Sequence, residues 1–290
     1  MSKFIITSDT TCDLPKDFCK SNNIDIHPLY YRFGDNEVYG GDKDITPAEF
    51  YKRMRDGEMP TTMATNPEAS REIFESRLRE GYDIIHISFS SALSSSYQNT
   101  CVAASELNEE YPEHKITVID SLCASMGEGL LVYKAVNFMN AGHSYEETVS
   151  YIEELKLHIS HQFTVDDLFH LHRGGRVSKA TAIIGTIIGI KPLLHVDDEG
   201  RLIAIGKTRG RKKSLVSLVD KMAATMGSRD NDVIMISHGD SLEDAEFVAS
   251  LIRERLNINN IIINTICPTI GSHSGPGTIA LFFEADVRIE

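Results

Sequence analysis

"YDIIHISFSSALSSSYQNTCVAASELNEEY", residues 82–111, decides the fold class of this 290-residue chain. Its first third is a continuous apolar run, the mark of a strand covered on both faces. Its last two thirds read as a long helix. Between them five serines (Ser90, Ser91, Ser94, Ser95 and Ser96) crowd the strand-to-helix junction. One serine caps a helix; five exceed that need. In a parallel α/β sheet such a junction lies at the carboxyl end of the strand, where ligands sit and where free helix amides favour anions.

The same alternation extends outward. "KFIIT" (3–7) reads as a first strand, followed by a turn in which Asp13 is a candidate cap and Pro15 suits the first helical turn. "IDIHPLYYRF" (24–33) reads as one further extended stretch, with helices at about 47–55 and 67–80, the second introduced by "TNPEAS". "KITVID" (115–120) is another strand, and two helices fill 124–158. Beyond His161 the pattern changes. "IKPLLHVDDEGRLIAIGKT" reads as a hairpin about Asp198-Glu199-Gly200, and strands and helices then mix up to "TIALFFEA". The expectation is an α/β protein of two domains. Residues 1–160 form a mostly parallel sheet flanked by helices, and residues 161–290 form a mixed or antiparallel sheet with helices.

Composition narrows the function classes. Forty-two carboxylates against 29 Lys and Arg give a net charge of −13, which argues against nucleic acid as a partner. The five cysteines form no C-x-x-C pair, which suits a reducing interior. The N-terminal apolar stretch is too short for a signal peptide. The longest apolar run, "AIIGTIIGIKPLL" (182–194), falls short of the roughly 20 residues that span a bilayer. A cytoplasmic protein without stable membrane insertion is expected. Histidines at 158/161 and 170/172 lack the cysteines or H-E-x-x-H pattern of a zinc site, so no metal or other cofactor is called for.

Four further stretches stand out. "IGSHSGPGTIALFF" (270–283) packs three glycines, two serines and His273 ahead of an apolar strand, a donor-rich loop that suits a small anionic or carbonyl head group. "PTT" (60–62) supplies Thr61 and Thr62. "LHRGGR" (171–176) flanks two glycines with Arg173 and Arg176, and "KTRGRKKS" (207–214) adds a basic patch that includes Arg209. Guanidiniums on turns suit a phosphate or a partner. "HGDSL" (238–242) matches an esterase tetrapeptide but lacks the accompanying D-x-x-H, so Asp240 or Ser241 reads as a helix cap.

In their order and spacing, "IITSDTTCDLP", "PTT", "SSALSSSYQ", "LHRGGR", "IKPLL" and "GSHSGPG" resemble the DegV family of bacterial fatty-acid-binding proteins. The resemblance spans the chain and implies two α/β domains with the ligand between them. It implies a non-catalytic carrier that binds a long-chain fatty acid and presents it to a separate fatty acid kinase. It places the carboxylate at Thr61, Thr62, Ser94, Ser95 and His273. The chain departs from the family at "LSSSYQ" (usually "LSGTYQ"), at Met63–Asn66 (usually "SQPS") and at Ser274 (usually threonine).

Affinity should come from the tail, because each buried CH₂ contributes about 0.8 kcal/mol. Candidates to line the channel are Ile183, Ile184, Ile187, Ile188 and Ile190, which equally suit the core of the second domain. Arg173, Arg176 and Arg209 are candidates to receive the kinase or its phosphates. The alternative is a serine hydrolase of acyl esters using Ser94 and His273.

Overall fold

The computed structural model describes residues 3–35, 37–178 and 189–288. Strands β1 (Phe4–Asp9), β2 (Asp25–His27), β6 (Asp83–Ser88) and β7 (Ile116–Asp120) form a parallel sheet in the order β2-β1-β6-β7. Strands β3 (Tyr30–Phe33), β4 (Glu37–Tyr39) and β5 (Thr61–Met63) make a small antiparallel sheet, order β4-β3-β5. The stretch 24–33, expected as one extended segment, is therefore two strands in two sheets. Pro28, which has no N–H to give a ladder, falls between them.

The third sheet is mixed. It comprises β8 (Ile159–Thr164), β9 (Ile190–Val196), β10 (Leu202–Arg209), β11 (Ile234–His238), β12 (Ile261–Thr265) and β13 (Ile279–Glu284), in the order β10-β9-β8-β13-β11-β12. Its ladders are antiparallel except β11 with β12. The α/β class with a parallel first sheet and a mixed later one is as the alternation of the sequence required.

The helices are α1 (Lys16–Ser21), α2 (Pro47–Arg55), α3 (Pro67–Arg79), α4 (Ser96–Glu110), α5 (Met126–Asn140), α6 (Tyr145–Leu155), α7 (Phe169–Arg173), α8 (Arg211–Thr225), α9 (Leu242–Leu256) and α10 (Pro268–Ser274). Asn66 caps α3 through the Glu68 amide, with Pro67 at the first position. Two other expected caps differ. Ser241 precedes α9, but its hydroxyl donates to Asp244 instead of accepting a backbone amide. Asp13 does not cap α1, which starts from Pro15. Asp13 is buried, and its carboxylate accepts the Cys267 amide at 2.9 Å and the Ser125 hydroxyl at 2.5 Å. A carboxylate removed from water takes the donors that tertiary folding brings to it.

Helix α5 joins the two larger sheets. Leu130, Leu131, Val132, Ala135 and Val136 are fully buried in one apolar cluster with Ile85 and Ile87 of the parallel sheet and Phe163 and Phe282 of the mixed one. Its glycines permit that fit. A Cβ on Gly127 would lie 2.1 Å from His161 Nε2, and one on Gly129 2.3 Å from the Cys12 carbonyl oxygen. The interface that α5 closes also frames a cavity.

Candidate functional site

The cavity holds about 250 Å³, near the lower end of ordinary ligand pockets (about 300–1,000 Å³). Its wall is largely apolar. Phe89 and Leu93 come from the parallel-sheet side, Phe163, Val196, Leu202, Ala280 and Phe282 from the mixed sheet, and Ile266 and Ile270 from the approach to and body of α10. Strand alternation sets the facing residues of the mixed sheet: Phe163 pairs with Ala280, and His161 with Phe282.

The polar mouth gathers residues far apart in sequence. On β5 successive side chains face opposite ways. Thr62 lines the cavity, while Thr61 is exposed and meets Arg32 at 3.4 Å. Thr62 Oγ1 lies 2.8 Å from His273 Nε2, a contact spanning 211 positions. The stretch expected as a loop is in part helical, because His273 occupies the last turn of α10. Pro268 opens that helix, and Gly275, at φ 79°, closes it with an amide bond to Gly271. Gly174 lets His273 in: a Cβ there would stand 2.0 Å from its Nδ1. Burial, then Arg176 and Arg173, lower the His273 pKa to about 3, so the imidazole is neutral near pH 7. Its Nδ1 has no partner among the described residues.

Ser94 lines the cavity and pairs with the Ser96 hydroxyl at 2.9 Å, and Ser96 in turn receives the Thr65 amide. Ser95 stands at the N-cap position of α4 without a side-chain cap bond, exposed at the cavity edge. Ser94 of the hydroxyl pair, Ser95 at the start of a 15-residue helix and the neutral imidazole thus line the same cavity. That set suits an anionic or carbonyl head group.

The arginines divide. Arg176 lines the cavity and donates to the Leu93 carbonyl at 3.0 and 2.8 Å from Nε and Nη2. Arg173 reaches the Pro60 and Ser272 carbonyls at 3.0 and 3.1 Å. Both therefore tie the loops of the mouth together. Arg209 is exposed at the end of β10 and does not line the cavity. Of the isoleucine candidates, Ile183, Ile184, Ile187 and Ile188 lie outside the described residues. Ile190 is half-buried at the start of β9, away from the cavity lining.

The floor was not foreseen from the sequence. Ser125 and His161 line it. Ser125 precedes α5 with φ 56° and ψ −143°, a region that non-glycine residues seldom adopt. Its hydroxyl donates to Asp13 and lies 2.8 Å from the Ser237 hydroxyl. His161 Nε2 accepts the Ala124 amide at 3.2 Å, and Nδ1 lies 3.1 Å from the Ile159 carbonyl. Nothing in the sequence singles Ser125 out. Among the described residues no three His, Cys, Asp or Glu side chains gather as a metal site, and no helix is long and apolar enough to cross a membrane.

Comparison with known proteins agrees with this architecture. A family model described as "Uncharacterised protein, DegV family" matches residues 3–286. A DegV domain-containing protein of Clostridium perfringens is 40% identical over 289 residues, covering 99% of both chains. A DegV family protein of Thermus thermophilus, described with fatty acid binding, superposes with a TM-score of 0.88 at 28% identity, over 98% of this chain and 99% of its own. A stearic acid-binding protein of Eubacterium ventriosum superposes with a TM-score of 0.90 at 26% identity, over 97% and 98%.

Proposed function

The chain belongs to the DegV family, and from that premise we propose that it carries a long-chain fatty acid, holding the carboxylate at the mouth of the cavity and the tail against its apolar wall. One observation carries this reading: a cavity walled by aromatic and aliphatic side chains is also lined by Thr62, Ser94, Ser95 and His273, with Thr62 and His273 in contact. Head-group hydrogen bonds to a charged ligand are worth about 1.5–3 kcal/mol each. A dozen methylenes at about 0.8 kcal/mol each exceed that several-fold. The wall therefore supplies affinity and the mouth supplies orientation. The fatty acids bound by the Thermus and Eubacterium relatives support the same reading.

In this account the chain performs no phosphoryl transfer and presents the carboxylate to a separate kinase. Exposed Arg209 and the turn held by Arg173 and Arg176 serve as its landing surface, and the two domains, 1–160 and 161–290, close on the lipid. The hydrolase alternative has little support in the geometry. Ser94 pairs with Ser96, not with His273, and the His273 Nδ1 that an orienting acid would hold has no partner among the described residues.

Mass spectrometry of an organic extract of the purified protein tests the reading: one fatty acid per chain is expected. An extract free of fatty acid, together with no uptake of added fatty acid, would end it. Charge reversal at exposed Arg209 should spare lipid uptake and abolish acyl-phosphate formation with the kinase.

A further inference from the structure

The cavity is polar in two places, and a plain alkyl chain accounts for one of them. We infer that the floor at Ser125 is a second recognition point, and that the preferred lipid carries a hydroxyl part-way along its chain. This deepens the fatty-acid reading and rests on it.

The hydrogen-bond inventory selects the group. A serine hydroxyl offers one proton and two acceptor lone pairs. With Asp13 ionised, as above pH 7, the Ser125 proton goes to Asp13, and Ser237 is the donor across the 2.8 Å contact. One lone pair on Ser125 remains, and it can accept but cannot give. A ligand hydroxyl, which donates, satisfies it; a keto oxygen or a carboxylate does not. His161 adds no free donor. Its Nε2 takes the Ala124 amide, its Nδ1 proton points to the Ile159 carbonyl, and burial holds the ring neutral. The floor therefore repels the carboxylate end and leaves it to the mouth, which fixes the direction of the chain.

Position follows from the strand. Thr278 lies at the mouth end, its hydroxyl bonded to the Ser274 and Gly275 carbonyls beside His273. Phe282, opposite His161, is four residues further along the same chain, or roughly 13 Å at strand rise. That reaches the middle of a long acyl chain. Rigidity is also present: Ser125 keeps an unfavourable backbone conformation, and Gly127 lets His161 press against the turn.

Lipid-stripped protein is titrated with octadecanoic acid and with its isomers hydroxylated at successive mid-chain carbons, read by displacement of a fluorescent fatty acid. We expect one isomer to bind at least as tightly as octadecanoic acid. In Ser125→Gly, which suits the positive φ, that isomer should lose about five- to tenfold more affinity than octadecanoic acid does, the size of one hydrogen bond. Ser125→Ala should behave alike, with melting curves confirming that both variants fold. The inference falls if every hydroxy isomer binds more weakly than the plain acid, or if the parity survives in both variants. Failure of both acids to bind the natural protein would overturn the fatty-acid reading itself.

Discussion

At the mouth of the cavity His273 faces Thr62 across 2.8 Å and keeps one ring nitrogen without a partner among the described residues. At the floor Ser125 is bonded on two sides, to Asp13 and Ser237, and His161 on two more. The mouth is assembled from the edge of a three-residue strand, the last turn of a short helix and two arginine-tied loops. The floor is pinned by α5, whose buried face joins both large sheets. The two ends differ in spare hydrogen-bonding capacity. The mouth has donors and acceptors left for a ligand, while the floor has spent nearly all of its own on the fold.

Substitutions can break this contrast. Gly127→Ala should be the most damaging, because its Cβ meets the ring of His161 at 2.1 Å with α5 fixed behind it. A loss of about 3 kcal/mol in denaturant unfolding is expected. The same change at Gly174 crowds His273, whose ring is held at one nitrogen only, by Thr62. There we expect about 1 kcal/mol of stability and a larger fall in lipid affinity. Equal losses at the two glycines would remove the distinction between a rigid floor and an adjustable mouth.

Next in size, Thr62→Val deprives His273 Nε2 of its partner. It should weaken fatty-acid binding by about 1–2 kcal/mol in calorimetry, with Thr61→Val, on the exposed face of β5, as the near-silent control within about 0.5 kcal/mol.

The pH dependence of stability differs in sign between the two ends. The His273 pKa falls from 6.5 to about 3 on folding, so its contribution to stability is full above pH 6.5 and is lost as pH falls towards 3. Burial raises that of Asp13 from 3.8 to about 7, so its contribution is full below pH 3.8 and is lost as pH rises towards 7. Between pH 4 and 6.5 the two slopes oppose. Asn at 273 should leave a stability curve that declines more steeply with rising pH, and Asn at 13 one that rises more steeply. Unfolding free energies measured across that range check both, and shifts of the same sign would refute the assignment.

The mouth was readable in the chain because its residues exceed what local structure requires. Five serines at one junction, a histidine among glycines and a Thr-Thr pair after a proline have no shared use in capping or turning, so a ligand was the economical explanation. Thr61 was misjudged alongside Thr62, because strand alternation shows which of two neighbours faces inward only once the strand is placed. The sequence offers Arg173 and Arg176 as contacts for a phosphate or a partner, and it could not show that both also bind carbonyls contributed by segments up to 113 positions away. The floor was silent because a serine before a helix has a sufficient local explanation.

By itself the sequence determined the layering of this protein and the identity of the groups at the mouth. Hydrophobic periodicity is a local property, and an excess of hydroxyls can be counted without coordinates. Only the tertiary structure decided which hydroxyls meet, that Asp13 joins Cys267 across 254 positions, and that Ser125 becomes a wall of the cavity. Hydrogen bonds reach about 3 Å, and sequence spacing carries no information about which distant atoms folding brings within that range.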